Sequence, residues 1–231
     1  MPSDVMEDYL KAIYQLERAG ETPVSTSRIA EYLDVTRPTV SSMIERLTER
    51  NLLEREKYTG VCLTDEGETV ALEVVRHHRL LEAYLAEQLG YDWSEVHEEA
   101  DALEHHISET FERRVAQALG DPEVDPHGDP IPSVDLDPLV ENENNRLSDY
   151  EEGAHVQVTR VRDRDHEDLA YLERAGVTPG TELDIVDIAP FGMVTVRSDS
   201  GEQSLPQGIA KSIRVSRIKS TDSPSTEVSG A

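Results

Sequence analysis

The chain holds 231 residues, with 48 Asp or Glu against 22 Lys or Arg for a formal net charge of −26, and its 37% hydrophobic content is enough to bury cores in one to three small domains. No run approaches the roughly 20 apolar residues that span a bilayer. The start Met1-Pro2-Ser3-Asp4 lacks a basic end followed by an apolar stretch, and a single cysteine, Cys62, makes neither an intrachain disulfide nor a thiolate zinc site, so a cytoplasmic protein is expected rather than a membrane or secreted one.

Positions 4–19 predict an amphipathic helix, with Val5, Tyr9, Ala12, Ile13 and Leu16 at helical spacing and Gly20 ending it. Ser25 or Ser27 can cap a short helix carrying Ile29, Ala30 and Leu33, which stops at Asp34-Val35. Thr36 caps the next, with Pro38 in its first turn and Val40, Met43, Ile44 and Leu47 as its buried stripe. Two helices joined this tightly form a helix-turn-helix. Leu52–Arg55 and Val61–Thr64, around Lys57-Tyr58-Thr59-Gly60, predict a hairpin wing. A longer helix follows from Thr64 to about Leu89, and another from about Ser94 to Leu119. Residues 121–152 collect Pro122, Pro126, Pro130, Pro132 and Pro138 among many acids, which marks a linker or an extended wrap. Strands at His155–Val161, Leu183–Ile188, Val194–Arg197 and Ile213–Val215, with one helix near Glu167–Ala175, predict a small barrel. The Ser, Thr and Pro-rich tail after Lys219 is expected to be disordered.

The charge is unevenly spread. Residues 1–64 hold 8 basic against 11 acidic residues, residues 65–140 hold 4 against 20, and residues 141–231 hold 10 against 17. The helix-turn-helix segment is therefore nearly balanced, and the acidity elsewhere, with sparse lysine, is of the halophilic kind that keeps a surface hydrated in concentrated salt. Five of the eight histidines lie between positions 77 and 106, on the two most acidic helices. His78 and Glu82 are one helical turn apart, and His97, Asp101, Glu104 and His105 share a face of the next helix. Imidazoles and carboxylates converging from facing helices suit a divalent first-row metal, although a solvated acidic face with incidental histidines has the same spacing. His77 and His106 point elsewhere.

Met6-Glu7-Asp8-Tyr9-Leu10, Arg37-Pro38-Thr39-Val40-Ser41, Tyr58-Thr59-Gly60-Val61, Leu63-Thr64-Asp65-Glu66-Gly67, His78-Arg79-Leu80-Leu81-Glu82, Leu103-Glu104-His105-His106-Ile107-Ser108 and Pro126-His127-Gly128-Asp129-Pro130-Ile131-Pro132 stand in order and in register. Together they resemble the diphtheria toxin repressor family of metal-dependent regulators. The resemblance implies a mainly α chain with α+β character: a winged helix-turn-helix DNA-binding domain (1–64), a helical dimerisation and metal-binding domain (65–140), a linker (141–152), an SH3-like β-barrel (153–218) and a disordered tail (219–231). It also implies a homodimeric repressor of a palindromic DNA operator, controlling metal-uptake genes. Its activating site would fall on Asp8, Asp101, Glu104 and His105, and its ancillary site on His78, Glu82 and His97. In some members the barrel adds a ligand, for which Asp163, Asp165 or Glu167 is placed, Glu167 being preferred.

Two departures matter. Iron-responsive members carry thioether and thiol ligands where this chain has Asp8 and Asp101, and harder oxygen ligands favour Mn²⁺ while still admitting Fe²⁺. Lys11 stands where the short manganese regulators have a carboxylate, which counts against their closely paired two-metal arrangement. On the DNA side, the helix opening at Thr36 presents Thr36, Arg37, Pro38, Thr39 and Ser42 to a major groove, with Arg37 able to read a guanine edge. Arg28, Arg46, Lys57 and Tyr58 are placed for phosphate contact. Two other classes compete: a winged-helix regulator of organic ligands with a vestigial metal site, and a di-metal carboxylate oxidoreductase. The oxidoreductase needs Glu-x-x-His pairs on helices. The only such spacing here is Glu152-Gly153-Ala154-His155, broken by its glycine.

Overall fold

The computed structural model describes residues 2–56, 59–139, 145–162, 166–190 and 192–218, divided into two units, 1–141 and 142–231. In the first unit, α1 (Asp4–Arg18) turns Met6, Tyr9, Leu10, Ile13 and Leu16 inward at helical spacing. The same core receives Ile29 from α2 (Thr26–Tyr32), Val40, Ile44 and Leu47 from α3 (Arg37–Glu49), and Leu53 and Val61 from the hairpin of β1 (Leu53–Glu56) and β2 (Gly60–Leu63). Leu72 and Val75 of α4 (Asp65–Tyr84) complete it. One packed core thus joins the first helix, the helix-turn-helix, its wing and part of α4. Because such interiors are close-packed, a pull on α1 is carried to α3.

Local chemistry sets the joints. Ser25 caps α2 by accepting from the Arg28 N–H at 3.3 Å, and Asp34 takes a left-handed φ of 51° to turn the chain toward α3. Thr36 stands at the N-cap of α3 but does not cap it in the expected way, since its hydroxyl lies 2.8 Å from that of Thr39 instead of a backbone N–H. Thr64 does cap α4, accepting from the Gly67 N–H at 3.0 Å. Gly67 has no room for a side chain: a Cβ there would lie 2.0 Å from the Leu52 carbonyl oxygen. Gly67→Ala is therefore expected to cost about 1–3 kcal/mol, the usual price of overpacking, read as a lowered denaturation midpoint.

The long helix expected from about Ser94 to Leu119 is two helices, α5 (Val96–Leu103) and α6 (Glu109–Ala118). Ser108 takes an extended backbone and accepts from the Phe111 N–H at 3.3 Å, so a serine N-cap overrides the continuing apolar period. Glu104 and His105 consequently sit at the end of α5 and in the break, not on a continuous helical face. After α6 the chain runs extended and wraps onto the helices: Trp93 Nε1 donates to the Pro126 carbonyl at 2.8 Å, and Arg79 donates to that of Pro130. Leu136 and Leu139 pack back against the main core.

The second unit is a six-stranded antiparallel sheet in the order β3-β8-β4-β5-β6-β7. Its strands are β3 (Asn145–Arg146), β4 (His155–Val161), β5 (Glu182–Ile188), β6 (Val194–Ser198), β7 (Gly201–Leu205) and β8 (Ile213–Arg217). Helices α7 (His166–Arg174) and α8 (Gln207–Ser212) pack with it, burying Leu169, Leu172, Ile209 and Ala210. Irregularities between Val158 and Arg160 and between Ile185 and Asp187 bend β4 and β5. β3, β7 and α8 were not expected. The tail 219–231 and most of the start of the expected linker lie outside the described residues.

Candidate metal centre and nucleic-acid interface

Among the described residues, three groups of metal-ligating side chains gather in the first unit, each offering ligand atoms within 4.8 Å of one another. The first is Asp8, Glu104 and His105. His105 Nε2 lies 2.8 Å from Asp8 Oδ1 and 3.5 Å from Glu104 Oε1, and its Nδ1 lies 2.8 Å from Glu7 Oε2. α1 supplies Asp8 and Glu7, while the end of α5 supplies the other two. Glu104 is held from behind, because His77 Nδ1 donates to its carbonyl oxygen at 3.1 Å. Burial opposes charge on the His105 ring, but hydrogen bonds to Glu7 and Asp8 and the Glu104 charge outweigh it and raise its pKa. Burial raises the Asp8 carboxyl more than His105 lowers it.

The second group is His78, His97 and Asp101, with Glu82 at its floor. Glu82 Oε1 is 3.0 Å from both His78 Nε2 and His97 Nδ1, and the two rings meet edge to face at 4.7 Å. Burial alone would lower the His78 pKa, yet the Glu82 charge and hydrogen bonds to Asp101 and Glu104 carry it up to about 10. Asp101 is thereby separated from the activating set on which it was expected. Its Oδ1 lies 3.2 Å from His78 Nδ1 and its Oδ2 lies 3.6 Å from His97 Nε2.

The third group was not expected: Glu82 again, with Asp125 and His127 from the extended wrap, all three buried. His127 Nδ1 lies 3.7 Å from Glu82 Oε1, and Asp125 Oδ1 accepts from the N–H groups of His127 and Asp129 at 2.8 and 2.9 Å. Burial and the charges of Glu82 and Asp129 hold the Asp125 carboxyl well above its ordinary range. The only sequence signal for this group is the Pro126-His127-Gly128 stretch quoted for its resemblance. Glu7 was likewise passed over, although it adjoins Asp8. Of the barrel residues, Asp163 and Asp165 lie outside the described residues, and Glu167 sits in the first turn of α7 in the second unit.

Each group combines carboxylates with imidazole and contains neither thiolate nor thioether. Cys62 lies in the wing, and Met6 is buried in the core. Such a donor set fits a first-row divalent ion of moderate hardness, Mn²⁺ or Fe²⁺.

On the other side of the first core, Thr36, Arg37, Pro38, Thr39, Ser42 and Arg46 are all exposed along α3, opposite the buried Val40, Met43, Ile44 and Leu47. An exposed N-terminal turn of this kind is the part of a helix-turn-helix that can enter a major groove. Among the described residues, neither Arg37 nor Arg46 is engaged in an ion pair. Arg28 differs: its guanidinium is clamped by Glu21 at 2.6 and 2.8 Å and by Glu31 at 2.6 Å, so its charge is already matched within the protein. Lys57 and Tyr58 lie outside the described residues.

Residues 1–61 match the iron dependent repressor N-terminal DNA binding domain, residues 64–133 the iron dependent repressor metal binding and dimerisation domain, and residues 145–217 the FeoA domain. The chain is similar to the iron-dependent repressor IdeR of Mycobacterium tuberculosis, 36% identical over 227 residues that cover 93% of this chain and 98% of the relative. It is also similar to the diphtheria toxin repressor of Corynebacterium glutamicum, 34% identical over 225 residues covering 94% and 97%. Among solved structures, it resembles a manganese-dependent transcriptional repressor in complex with manganese, with a TM-score of 0.84 and 36% identity over 92% of this chain and 100% of that one.

Proposed function

The chain belongs to the diphtheria toxin repressor family of metal-dependent transcriptional regulators, and from that premise we propose that its own Asp8, Glu104 and His105 hold the divalent cation that switches on operator binding. It is a homodimeric DNA-binding repressor activated by Mn²⁺ or Fe²⁺, not an enzyme. The observation that carries the site assignment is the approach of His105 Nε2 to Asp8 Oδ1, 2.8 Å apart across 97 positions of sequence. When bound, the cation supplies the positive charge that lets these anionic ligands converge.

Asp8 stands on α1, which shares its core with α3, whereas Glu104 and His105 stand at the end of α5 and in the break before α6, within the matched dimerisation domain. Drawing Asp8 toward His105 therefore fixes the reading helix relative to the element that sets the distance between two subunits. Coupling of this kind makes metal and DNA strengthen one another's binding. His78, Glu82 and His97, with Asp101 nearby and Asp125 and His127 closing the other side of Glu82, form the ancillary basin. Oxygen-rich ligands at the activating site favour Mn²⁺ over Fe²⁺. Arg37 reads a base edge; Thr36, Pro38, Thr39 and Ser42 shape the groove contact; Arg46 meets phosphate. No described helix is long and apolar enough to cross a membrane, and an operator as target supports a cytoplasmic protein.

The test begins by selecting duplexes from random-sequence DNA with the full chain in Mn²⁺. Fluorescence anisotropy of a selected duplex is then followed as Mn²⁺ is added and afterwards chelated. Binding should appear with metal, vanish with chelator and show a palindromic consensus. Binding indifferent to metal would overturn the reading in favour of an organic-ligand regulator.

A further inference from the structure

The outer edge of the wing is fastened to the first helix and to the loop behind it. In an antiparallel hairpin the N–H groups of one strand point alternately toward the partner strand and away from it, and those of Val61 and Leu63 in β2 both point away from β1. Val61 exchanges backbone hydrogen bonds of 2.8 and 3.0 Å with Val24, which lies just beyond α1. Gly60 permits this approach, since a Cβ there would lie 2.3 Å from the Val24 carbonyl oxygen. The Leu63 N–H donates to Glu17 Oε1 at 3.1 Å, across 46 positions of sequence.

Glu17 stands two and a half turns after Asp8 on α1, which at 1.5 Å and 100° per residue is about 13.5 Å along the axis and half a turn around it. Asp8 therefore leaves one side of the helix toward His105, and Glu17 leaves the opposite side toward the wing. Water can satisfy an N–H at a strand edge, so the Leu63 donor does not require a protein partner. The acceptor, by contrast, is half-buried, and burial raises the Glu17 carboxyl more than the Leu63 N–H lowers it. A carboxyl group held there against desolvation has a positional effect: it ties the far end of α1 to β2.

We propose that Glu17 is a positioning residue that carries the metal-driven placement of α1 to the wing, so that the hairpin, as well as α3, takes up its DNA-binding position only when metal is bound. The inference rests on the activating-site reading above and adds to it a second route from metal to DNA. The route to α3 runs through apolar packing, whereas the route to the edge of the wing includes one polar side-chain contact, which a single substitution removes while the core stays intact.

Cys62, the one cysteine of the chain, is half-buried in β2 beside Leu63 and serves as the reporter. Its alkylation by iodoacetamide is timed by mass spectrometry on the full-length chain, once with saturating Mn²⁺ and once with chelator. After burial, the Glu17 charge helps to raise the Cys62 thiol, so the quantity read is the ratio of the two rates within each variant. In the wild-type protein Mn²⁺ should slow alkylation several-fold. Glu17→Ala, which keeps a strong helix former in α1, should abolish that difference while binding as much Mn²⁺ as the wild type. It should also shrink the Mn²⁺-induced gain in affinity for the selected duplex by roughly 5-fold or more. Glu17→Gln retains a carbonyl acceptor and should keep the wild-type ratio. A wild-type ratio in Glu17→Ala would overturn the proposal, and so would a folded Glu17→Gln protein as unresponsive as Glu17→Ala. Faster alkylation in both metal states at an unchanged ratio would reduce Glu17 to a structural role. If Cys62 ignores Mn²⁺ in a wild-type protein whose operator binding requires it, the wing is uncoupled and the activating-site reading stands; if operator binding itself ignores Mn²⁺, both fall together.

Discussion

Replacing His105 by alanine is expected to abolish metal-dependent operator binding while leaving a folded chain. The imidazole meets α1 twice, at Asp8 and at Glu7, each at 2.8 Å. Without it, Glu104 and Asp8 are carboxylates facing each other with no neutral donor between them. Loss of an outer partner of a metal ligand typically costs 10–100-fold in affinity, so loss of a ligand should exceed about 100-fold. Stability of the metal-free protein should fall by about 1–3 kcal/mol, the cost of stripping hydrogen-bond partners from partly buried groups. The hydrophobic core is untouched, so the protein still folds. A titration of Mn²⁺ against labelled operator, paired with a thermal melt by circular dichroism, separates the two effects. Normal metal-dependent binding by the alanine variant would remove His105 from the site.

Arg37→Ala should weaken operator binding by about 1–3 kcal/mol, roughly 5–150-fold, and relax the preference at one base position in each half-site. Arg37 opens α3, is exposed, and is engaged in no ion pair among the described residues. It is thus available for the two parallel hydrogen bonds a guanine edge accepts. Arg46→Ala, two and a half turns further along the same helix, should lower affinity for all sequences alike. Selection of binding sites from random DNA with each variant makes the comparison. A uniform loss with Arg37→Ala would move Arg37 from base reading to phosphate contact.

What could be read from sequence follows the range of the signal. The helix-turn-helix is local: Ser25, Asp34 and Pro38 punctuate short apolar periods, and the structure places those helices accordingly. The pairing of His78 with Glu82, and of His97 with Asp101, is helical spacing and needs no knowledge of the fold. That Asp8 faces His105 was implied by family resemblance alone, because no period links residues 97 positions apart. The same limit explains Asp125 and His127, which reach Glu82 only because an irregular wrap folds back along α4. The break at Ser108 went unread because its apolar neighbours continue a helical pattern, and one hydroxyl is a weak signal against that. β3 and β7 escaped because Asn145–Arg146 and Gly201–Leu205 are nearly all polar and carry no alternation. The clamp on Arg28 was half legible: Glu31 is one turn away on α2, but Glu21 belongs to the preceding loop.

That clamp bears on how the protein experiences ionic strength. Each phosphate neutralised by a side chain releases condensed counterions, and affinity falls with log salt at a slope of about −0.9 for every such contact. With Arg28 already neutralised by Glu21 and Glu31, the exposed arginines on the described face of α3 are Arg37 and Arg46. With Arg37 on a base edge and Arg46 on phosphate in each of two subunits, the slope from this helix is about −2, against about −10 for a repressor richly supplied with cations. Most of the recognition then rests on groove shape and hydrogen bonds, which electrolyte disturbs little. A chain with a net charge of −26 can in this way remain on its operator at salinities that would wash a basic repressor from the same duplex.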